Sequence, residues 1–324
     1  MLTETGQAPK IIFFGLKMIP SSKSGLRFLV TFISILIIII SLYVLSKHSN
    51  HANEILVSSI YPLPRPDHVV IVIEENNSYK GIIGNIEAPY INQLANEGAL
   101  FTNSFAITHP SQPNYLALFS GSTHGIKDDR CLILSLSGDN LANQLLKKGL
   151  SFAIYSESMP SIGFDKCASE NFYYERKHNP AANWQNNNIP PEVNMPFEIF
   201  PSNFMKLPTV SIVIPNQNND MHGLHTELGL VRQSDNWLKS NLDAYLQWAK
   251  TNNSLLIITW DEDDGSDNNH IPTIFIGPMV KSGQYSTYIN HYTVLRTMIE
   301  MYGLSSIGHS ADMQPIIEVW KKNK

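Results

Sequence analysis

The sequence is short of charge, of cysteine and of any long basic run. Charged residues make up 16% of its 324 residues and hydrophobic ones 43%, a balance too apolar for a disordered chain, so the chain must bury a core. Lys plus Arg number 23 against 28 Asp plus Glu, a net charge of -5. Residues 1–47 hold five of the basic residues (Lys10, Lys17, Lys23, Arg27, Lys47) and one acid, Glu4, so the remainder carries 18 against 27, or -9. A body of that sign does not attract nucleic acid by bulk charge, and no nucleic-acid partner is expected. The two cysteines, Cys131 and Cys167, stand in neither a CxxC nor a zinc-ribbon spacing, which argues against a cysteine metal site. Internal repeats are missing, and the Asn-rich patches at 186–188 and 216–219 are too short for low complexity.

One long apolar run is present. Residues 28–46, FLVTFISILIIIISLYVLS, carry no charge and as a helix would extend about 28 Å, near the thickness of a bilayer's hydrocarbon core. Four isoleucines in succession leave no polar face for water, so a transmembrane helix is expected. The positive charges precede it, which places residues 1–27 in the cytoplasm as a basic segment and the body outside. With no small-x-small cleavage site and no lipobox cysteine after the run, an uncleaved anchor is expected; a cleaved signal would release a secreted protein. Export changes the meaning of Cys131 and Cys167. In an oxidising compartment a pair 36 positions apart predicts one disulfide, stabilising by about 3 to 4 kcal/mol in the loop-entropy model.

Residues 47–66, polar and then proline-punctuated, predict a linker, and 67–324 one large domain. Strands are expected at 68–75 (HVVIVIEE), 99–107, 151–156, 209–216, 254–264 and 272–278, and helices at 89–97, from about 113, at 139–149, 227–250 and 291–302. Strands separated by helices imply a three-layer α/β/α sandwich with a mostly parallel sheet, whose ligands bind at the carboxyl ends of the strands. Segment 157–208, rich in Pro and Asn with little periodicity, reads as a loop covering that face.

The expected strand ends are polar: Glu74 to Asn77, Asn216 to His222, and Asp261 to Asp264. Carboxylates facing one crevice repel one another unless a cation lies between them. Oxygen donors from Glu75, Asn76, Asp261 and Glu262 suit a hard divalent ion. An EF-hand reading of Asp261 to Gly265 fails, because Gly falls one place early and the twelfth position is Pro272. The segment Thr108-His109-Pro110-Ser111-Gln112-Pro113-Asn114-Tyr115 has the grammar of a helix start. Two readings of Ser111 stand side by side there: an N-cap hydroxyl, or a nucleophile whose anionic phosphoryl partner is held by the helix N-terminus.

Six ordered segments, HVVIVIEENNSYKGIIGN, APYINQLANEGALFTNSFAITHPSQPNYLALFSGSTHGI, YERKHNP, PNQNNDMHG, ITWDEDDG…NHIPTIFIGP and HYTVLRTMIEMYGL, together resemble the bacterial phosphoesterase family of acid phosphatases and phosphatidylcholine-type phospholipases C, within the alkaline-phosphatase-like superfamily. The resemblance covers about residues 67 to 304. It implies that Ser111 of the SxPN motif is the nucleophile and forms a phosphoserine intermediate. It implies that Glu75, Asn76, Asp261 and Glu262 share with Ser111 one divalent metal (Ca, Mg, Mn or Zn), and that Asn114 contacts a phosphoryl oxygen. His178 and His222 resemble the family's active-site histidines, where an imidazolium binds phosphate or protonates the leaving alkoxide. Lys177 is a candidate phosphate contact. Asp220, His222 and His270 would form the second site of two-metal superfamily members. Those members carry an Asp-His pair where this chain has Glu262, so one metal with histidine assistance is expected. His109, His124 and His291 are assigned to structure.

The resemblance together with the apolar run at 28–46 implies an exported, membrane-tethered acid phosphatase on the periplasmic or extracellular side of a bacterial inner membrane. Its partners would be a small phosphorylated substrate or a phospholipid head group such as a phosphoinositide, and no protein partner is expected. Phospholipase C members are typically longer and have a DEHGG-type strand end against DEDDG here, which favours the monoesterase over a phospholipase C-like diesterase. A membrane-anchored binding module without catalysis would leave Ser111 and the histidines without a role. The stretch Gly121 to Gly125 mimics a nucleophile elbow, but a helix rather than a strand is expected before it.

Overall fold

The computed structural model describes residues 31–42, 63–222 and 229–322. The chain divides into two compact units, Met1–Ile60 and Tyr61–Lys324. In the first, residues 31–42 are helical with exposed side chains. The expected basic segment 1–27, the flanks of the 28–46 span and most of the 47–66 linker lie outside the described residues. Among the described residues no helix is long and apolar enough to cross a membrane.

The second unit is built on an eight-stranded sheet. Its strands are β1 (His68–Glu74), β2 (Ala99–Phe101), β3 (Phe152–Ser156), β4 (Asn194–Pro196), β5 (Val210–Ile214), β6 (Ser254–Trp260), β7 (Thr273–Ile276) and β8 (Gly283–Tyr285), in the order β4-β3-β5-β1-β6-β7-β2-β8. From β4 to β6 every pairing is parallel, while β7 runs antiparallel to both of its neighbours. The helices longer than one turn are α1 (Pro89–Glu97), α2 (Ser111–Ser120), α3 (Leu141–Lys147), α4 (Leu230–Ala249) and α5 (His291–Tyr302).

The pleat of the central strands sorts side chains between two cores. Val69, Ile71 and Ile73 of β1 and Leu255 and Ile257 of β6 pack with Leu116 and Phe119 of α2, Leu141 of α3 and Leu295 of α5. Val70 and Val72, with Leu256 and Ile258, pack with Ile91 and Leu94 of α1 and Leu242 and Tyr245 of α4. Both faces of the sheet are therefore covered, which is why β1 and β6 read as unbroken apolar runs. This alternation carries through the strand end. Glu74 continues the α4 side, where Ser234 donates to it at 2.7 Å, and Glu75 turns toward α2.

Three expectations are corrected. The 99–107 run is not one strand: it splits into β2 and a two-residue strand, Ser104–Phe105, that pairs with Ile289–Asn290 outside the main sheet. Segment 157–208 is not chiefly a covering loop. Its short 3-10 turns supply Ala181 and Trp184 to the α2-side core, Phe197, Phe200 and Phe204 to the α4 side, and its residues 194–196 form the edge strand β4. Within it a disulfide joins Cys167 to Cys131, with Cα atoms 5.6 Å apart. Ser111 is also not the N-cap of α2, because Pro110 occupies that position and no side chain caps the helix.

Candidate active site

The ends of β1 and β6 and the start of α2 meet at one hydroxyl. Ser111 Oγ lies 3.1 Å from Glu75 Oε2, 3.4 Å from Asn76 Oδ1 and 3.0 Å from Glu262 Oε1. Local structure explains the convergence. All ten residues of α2 are buried, so the helix is fixed by packing on every side. Gly121 ends it in a left-handed conformation at φ 69, where a Cβ would run into the Ile307 carbonyl. At the end of β1, Asn76 takes a left-handed turn at φ 39, a conformation that Asn tolerates better than most residues. That turn aims its N–H at Asp261 Oδ1 at 3.2 Å, while the Glu262 N–H donates to the same oxygen at 2.6 Å. Asp261 thus holds the two loops in register.

Glu75 is the hub. Tyr115 Oη donates to its Oε1 at 2.6 Å, His178 Nε2 lies 3.1 Å from Oε1, and His222 Nδ1 lies 3.3 Å from Oε2. His178 is buried, stacks on Tyr115 with ring centroids 5.1 Å apart, and its Nδ1 lies 3.1 Å from Gln217 Nε2. Asp220 positions the next loop: its carbonyl accepts from Glu75 N at 2.7 Å and its Oδ1 from His222 N at 2.9 Å.

The electrostatics are those of an acidic pocket short of cations. Burial pushes Asp261 well above the usual carboxylate range, and the neighbouring Glu75 and Glu262 carboxylates push the same way. Burial drives Glu262 up to about 8, with the Ser111 hydrogen bond opposing and Glu75 adding. Burial also pushes Glu75 up, but His178, the His222 hydrogen bond and Lys177 outweigh it and hold the carboxyl at about 2. Desolvation in turn takes His178 down to about 4. The hydrogen bond from Tyr115 and the Lys177 charge favour an ionised Glu75 beside an uncharged His178.

The site is thus a serine hydroxyl at a helix start, ringed by carboxylates from two strand ends and backed by two imidazoles. The phosphoesterase family model matches residues 85–305. The chain belongs to the phosphoesterase family. A phosphatidylinositol-3-phosphatase of Mycobacterium tuberculosis is 47% identical over 260 residues, covering 80% of this chain and 84% of that protein. An acid phosphatase of Aspergillus fumigatus is 30% identical over 231 residues, covering 66% of this chain and 51% of that one. A protein in the alkaline phosphatase superfamily from Vibrio parahaemolyticus superposes with a TM-score of 0.55 at 16% identity, covering 79% of this chain and 72% of that one. That last likeness is one of fold.

Within this phosphoesterase the fold brings Glu75, Asn76, Ser111, Asp261, Glu262, His178 and His222 into one cluster. Three expected residues do not join them as described. Asn114 has no N–H free for a phosphoryl oxygen: its Oδ1 accepts from Ile107 N and Thr108 N, and its amide donates to the Thr108 and Pro110 carbonyls. It clamps the turn that leads into α2. His270 is not beside Asp220 and His222, because its Nε2 lies 3.1 Å from the Thr102 carbonyl, its Nδ1 3.3 Å from Asp267 Oδ2, and its ring stacks on Tyr79 and Phe105. Lys177 stands near the site but is tied to Asp129 Oδ2 at 3.1 Å, the carboxylate that also accepts from Gln112 N in the first turn of α2.

Two residues that join this cluster were missed or misassigned from sequence. Tyr115 sits in an apolar helical run and reads as core. His109 was assigned to structure, yet its Nδ1 lies 2.5 Å from Glu262 Oε2 and its Nε2 3.1 Å from Asp263 Oδ1. Its place two residues before Ser111 was the available signal. His124, by contrast, does serve structure, against Ser120 Oγ at 2.9 Å and the Trp184 ring, as does His291 against the Asp261 carbonyl at 2.7 Å.

The donor set fits a hard divalent cation. Glu75, Asn76, Ser111, Asp261 and Glu262 offer only oxygen, and Asp261 Oδ2 is buried with no hydrogen-bond partner. Among the described residues no group of three or more His, Cys, Asp or Glu side chains is arranged to hold a metal on its own.

Proposed function

We propose that this chain is a metal-dependent phosphomonoesterase of the acid phosphatase type, working through a phosphoserine at Ser111. The observation that carries the reading is the convergence of Glu75, Asn76 and Glu262 on Ser111 Oγ within 3.4 Å. The activity class agrees with the printed names of the phosphatase relatives. Bound among Glu75, Asn76, Asp261, Glu262 and Ser111, a divalent ion would lower the serine pKa and offset phosphoryl charge.

The chain's own residues do the rest. Ser111 Oγ attacks phosphorus and forms a phosphoserine as the substrate's alcohol leaves, and its proton passes to Glu75 or Glu262 at 3.1 or 3.0 Å. The α2 N-terminus faces the phosphoryl group with its backbone dipole. His222, whose side chain is about one-third exposed while His178 is buried, is the group placed to protonate the leaving alkoxide, and His178 holds Glu75 in orientation. Water then hydrolyses the phosphoserine, with the same groups carrying the proton back.

The same proposal has the enzyme work outside the cytoplasm, tethered by the apolar 28–46 segment, with phosphoinositides or other phosphorylated metabolites as substrates. The Cys131–Cys167 disulfide supports an oxidising compartment, and the 47% identical relative is named for a phosphoinositide. Turnover of p-nitrophenyl phosphate by the full chain with added divalent metal, against none after chelation, tests the proposal. Turnover that survives thorough chelation would reject the metal, and no turnover with any metal would reject the enzyme.

A further inference from the structure

Helix α2 begins without a cap of its own. Pro110 stands at the N-cap position with no side-chain bond, and Pro113 in the first turn has no N–H to offer. The Gln112 N–H, one residue beyond Ser111, is an orphan donor that must find its partner outside the helix. It finds Asp129, 17 positions later, whose Oδ1 accepts from it at 2.9 Å. The backbone dipole favours a carboxylate at that end of the helix.

The second oxygen of that carboxylate is occupied too. Lys177 Nζ donates to Asp129 Oδ2 at 3.1 Å, and Glu175 Oε2 lies 3.7 Å from the same ammonium. The Lys177 side chain is 12% exposed, and the next residue, His178, lies 3.1 Å from Glu75 Oε1. Its charge reaches the serine cluster: burial raises the carboxyls of Glu75 and Glu262, and Lys177 pulls both the other way. A cation thus stands beside a cluster that is short of cations, yet it is bonded to a carboxylate outside that cluster.

The chain holds the pair together from both ends. Asp129 comes shortly before Cys131, and Lys177 follows the Ala168–Glu175 pairing that starts next to Cys167, so the Cys131–Cys167 bridge draws the two segments to each other. The Arg176 N–H, donating to the Cys167 carbonyl at 2.8 Å, sets where Lys177 leaves the backbone. Asp129 is therefore fixed by α2 and by the bridge, whereas the lysine is a point charge on a flexible stem. Without Asp129 the ammonium would have Glu175 on one side and the mutually repelling Glu75 and Glu262 on the other. Drawn to the latter, it would relieve their repulsion as a divalent ion does, and would have to be expelled before an ion could enter.

We propose that Asp129 is a positioning residue that parks the Lys177 ammonium at the start of α2 and so keeps it from acting as an internal cation among the carboxylates that take the divalent ion. The inference rests on the metal-dependent reading and adds to it a residue that controls how open the ion's place is. Asp129 itself touches neither ion nor substrate. It acts through Lys177.

Asp129→Asn separates this role from capping, because the amide oxygen can still accept from Gln112 N while the charge that holds Lys177 is gone. Isothermal titration of the full chain with Mn²⁺ should read an affinity about tenfold lower in Asp129→Asn than in wild type, at the lower end of what losing an outer partner of a metal site costs. In a Lys177→Met background the same substitution should cost less than about twofold, since no ammonium is left to compete. Lys177→Met alone, which leaves the cap of α2 untouched, should bind Mn²⁺ at least as tightly as wild type. A purely structural cap, or the plain loss of a negative charge near the ion, would cost the same with and without Lys177, so an equal loss in both backgrounds overturns the proposal. An Asp129→Asn affinity equal to that of wild type overturns it as well, as does a Lys177→Met protein that binds about tenfold more weakly. Wild type that takes up no divalent ion rejects the metal reading, and the role of Asp129 falls with it; wild type that binds the ion without the coupling rejects the role of Asp129 alone.

Discussion

Ser111 Oγ and Glu262 Oε1 lie 3.0 Å apart although 151 positions separate them in the chain. The contact exists because β1 and β6 are parallel neighbours whose ends open on the same side, and α2 is packed over that opening. Ser111→Ala deletes a buried hydroxyl without changing the volume of α2 appreciably, so its fold should persist. Phosphomonoester turnover should fall by at least about 10³-fold, as it does when a nucleophile is removed and only binding and electrostatics remain. Circular dichroism and p-nitrophenyl phosphate kinetics on the same preparation check this. Retention of more than a tenth of the activity would remove Ser111 from its role.

The carboxylates around that serine predict a dependence of stability on both pH and metal. Glu262 sits at about 8 in the metal-free fold against an ordinary 4.5, so in this range the native state binds more protons than the unfolded chain. Its contribution is fully present below about 4.5 and is lost as pH rises through about 8; Asp261, also raised, acts with the same sign. His178, held down to about 4 by burial, acts with the opposite sign up to its ordinary 6.5, so metal-free protein should lose Tm between about pH 6.5 and pH 8. A divalent ion must displace those protons, so it should raise Tm more at pH 8 than at pH 5 and release protons on binding. Differential scanning calorimetry at both pH values, with and without Mn²⁺ or Ca²⁺, checks the sign. An equal shift at the two would contradict it.

The sequence makes the central strands and the metal-side residues legible for one physical reason. A strand buried on both faces is a continuous apolar run, and where HVVIVIE and SLLIITW stop, polar side chains at the carboxyl ends have nowhere to face but the crevice. Helix α1 was equally plain, with Pro89 opening it and Gly98 closing it. What escaped were features with no one-dimensional signal. Strands β4 and β8 have three residues each and polar or proline-bearing sequences, so they exist only because a neighbouring strand edge is there to pair. Nothing in the periodicity of TIFI states that β7 runs antiparallel. Tyr115 is hidden among apolar helical neighbours, and its 2.6 Å hydrogen bond to Glu75 depends on how α2 is rotated against the sheet. Asn114 was misread for the opposite reason: a polar residue beside a nucleophile suggests substrate, but its four hydrogen bonds all go to residues 107–110.

His109 bridges Glu262 and Asp263 with its two ring nitrogens, which makes it a positioning residue for the loop after β6. His109→Ala should weaken divalent-metal binding by about 10- to 100-fold, the usual cost of losing an outer partner of a ligand. His109→Gln, which can keep one hydrogen bond, should recover part of it. Isothermal titration with Mn²⁺ reads this directly. Identical affinities in all three proteins would show that Glu262 is held well enough without the imidazole.

The disulfide predicts a link between redox state and the imidazole that orients Glu75. Cys131 lies in a stretch with no helix or strand, and Cys167 begins the segment that leads to His178. Arg176 N donates to the Cys167 carbonyl at 2.8 Å, and Ala168 pairs with Glu175. Lys177 and His178 follow directly on that pairing. Cutting the bridge frees this segment at one end, at a cost of about 3 to 4 kcal/mol if the loop-entropy estimate holds. Cys131→Ser with Cys167→Ser should thus lower Tm by several degrees. It should also reduce kcat more than it raises KM, since His178 acts on Glu75 rather than on substrate affinity. Steady-state kinetics and thermal melts of the double variant, with reductant-treated wild type beside it, provide the check. A double variant that melts lower but turns over at the wild-type rate would confine the disulfide to stability and uncouple it from the site.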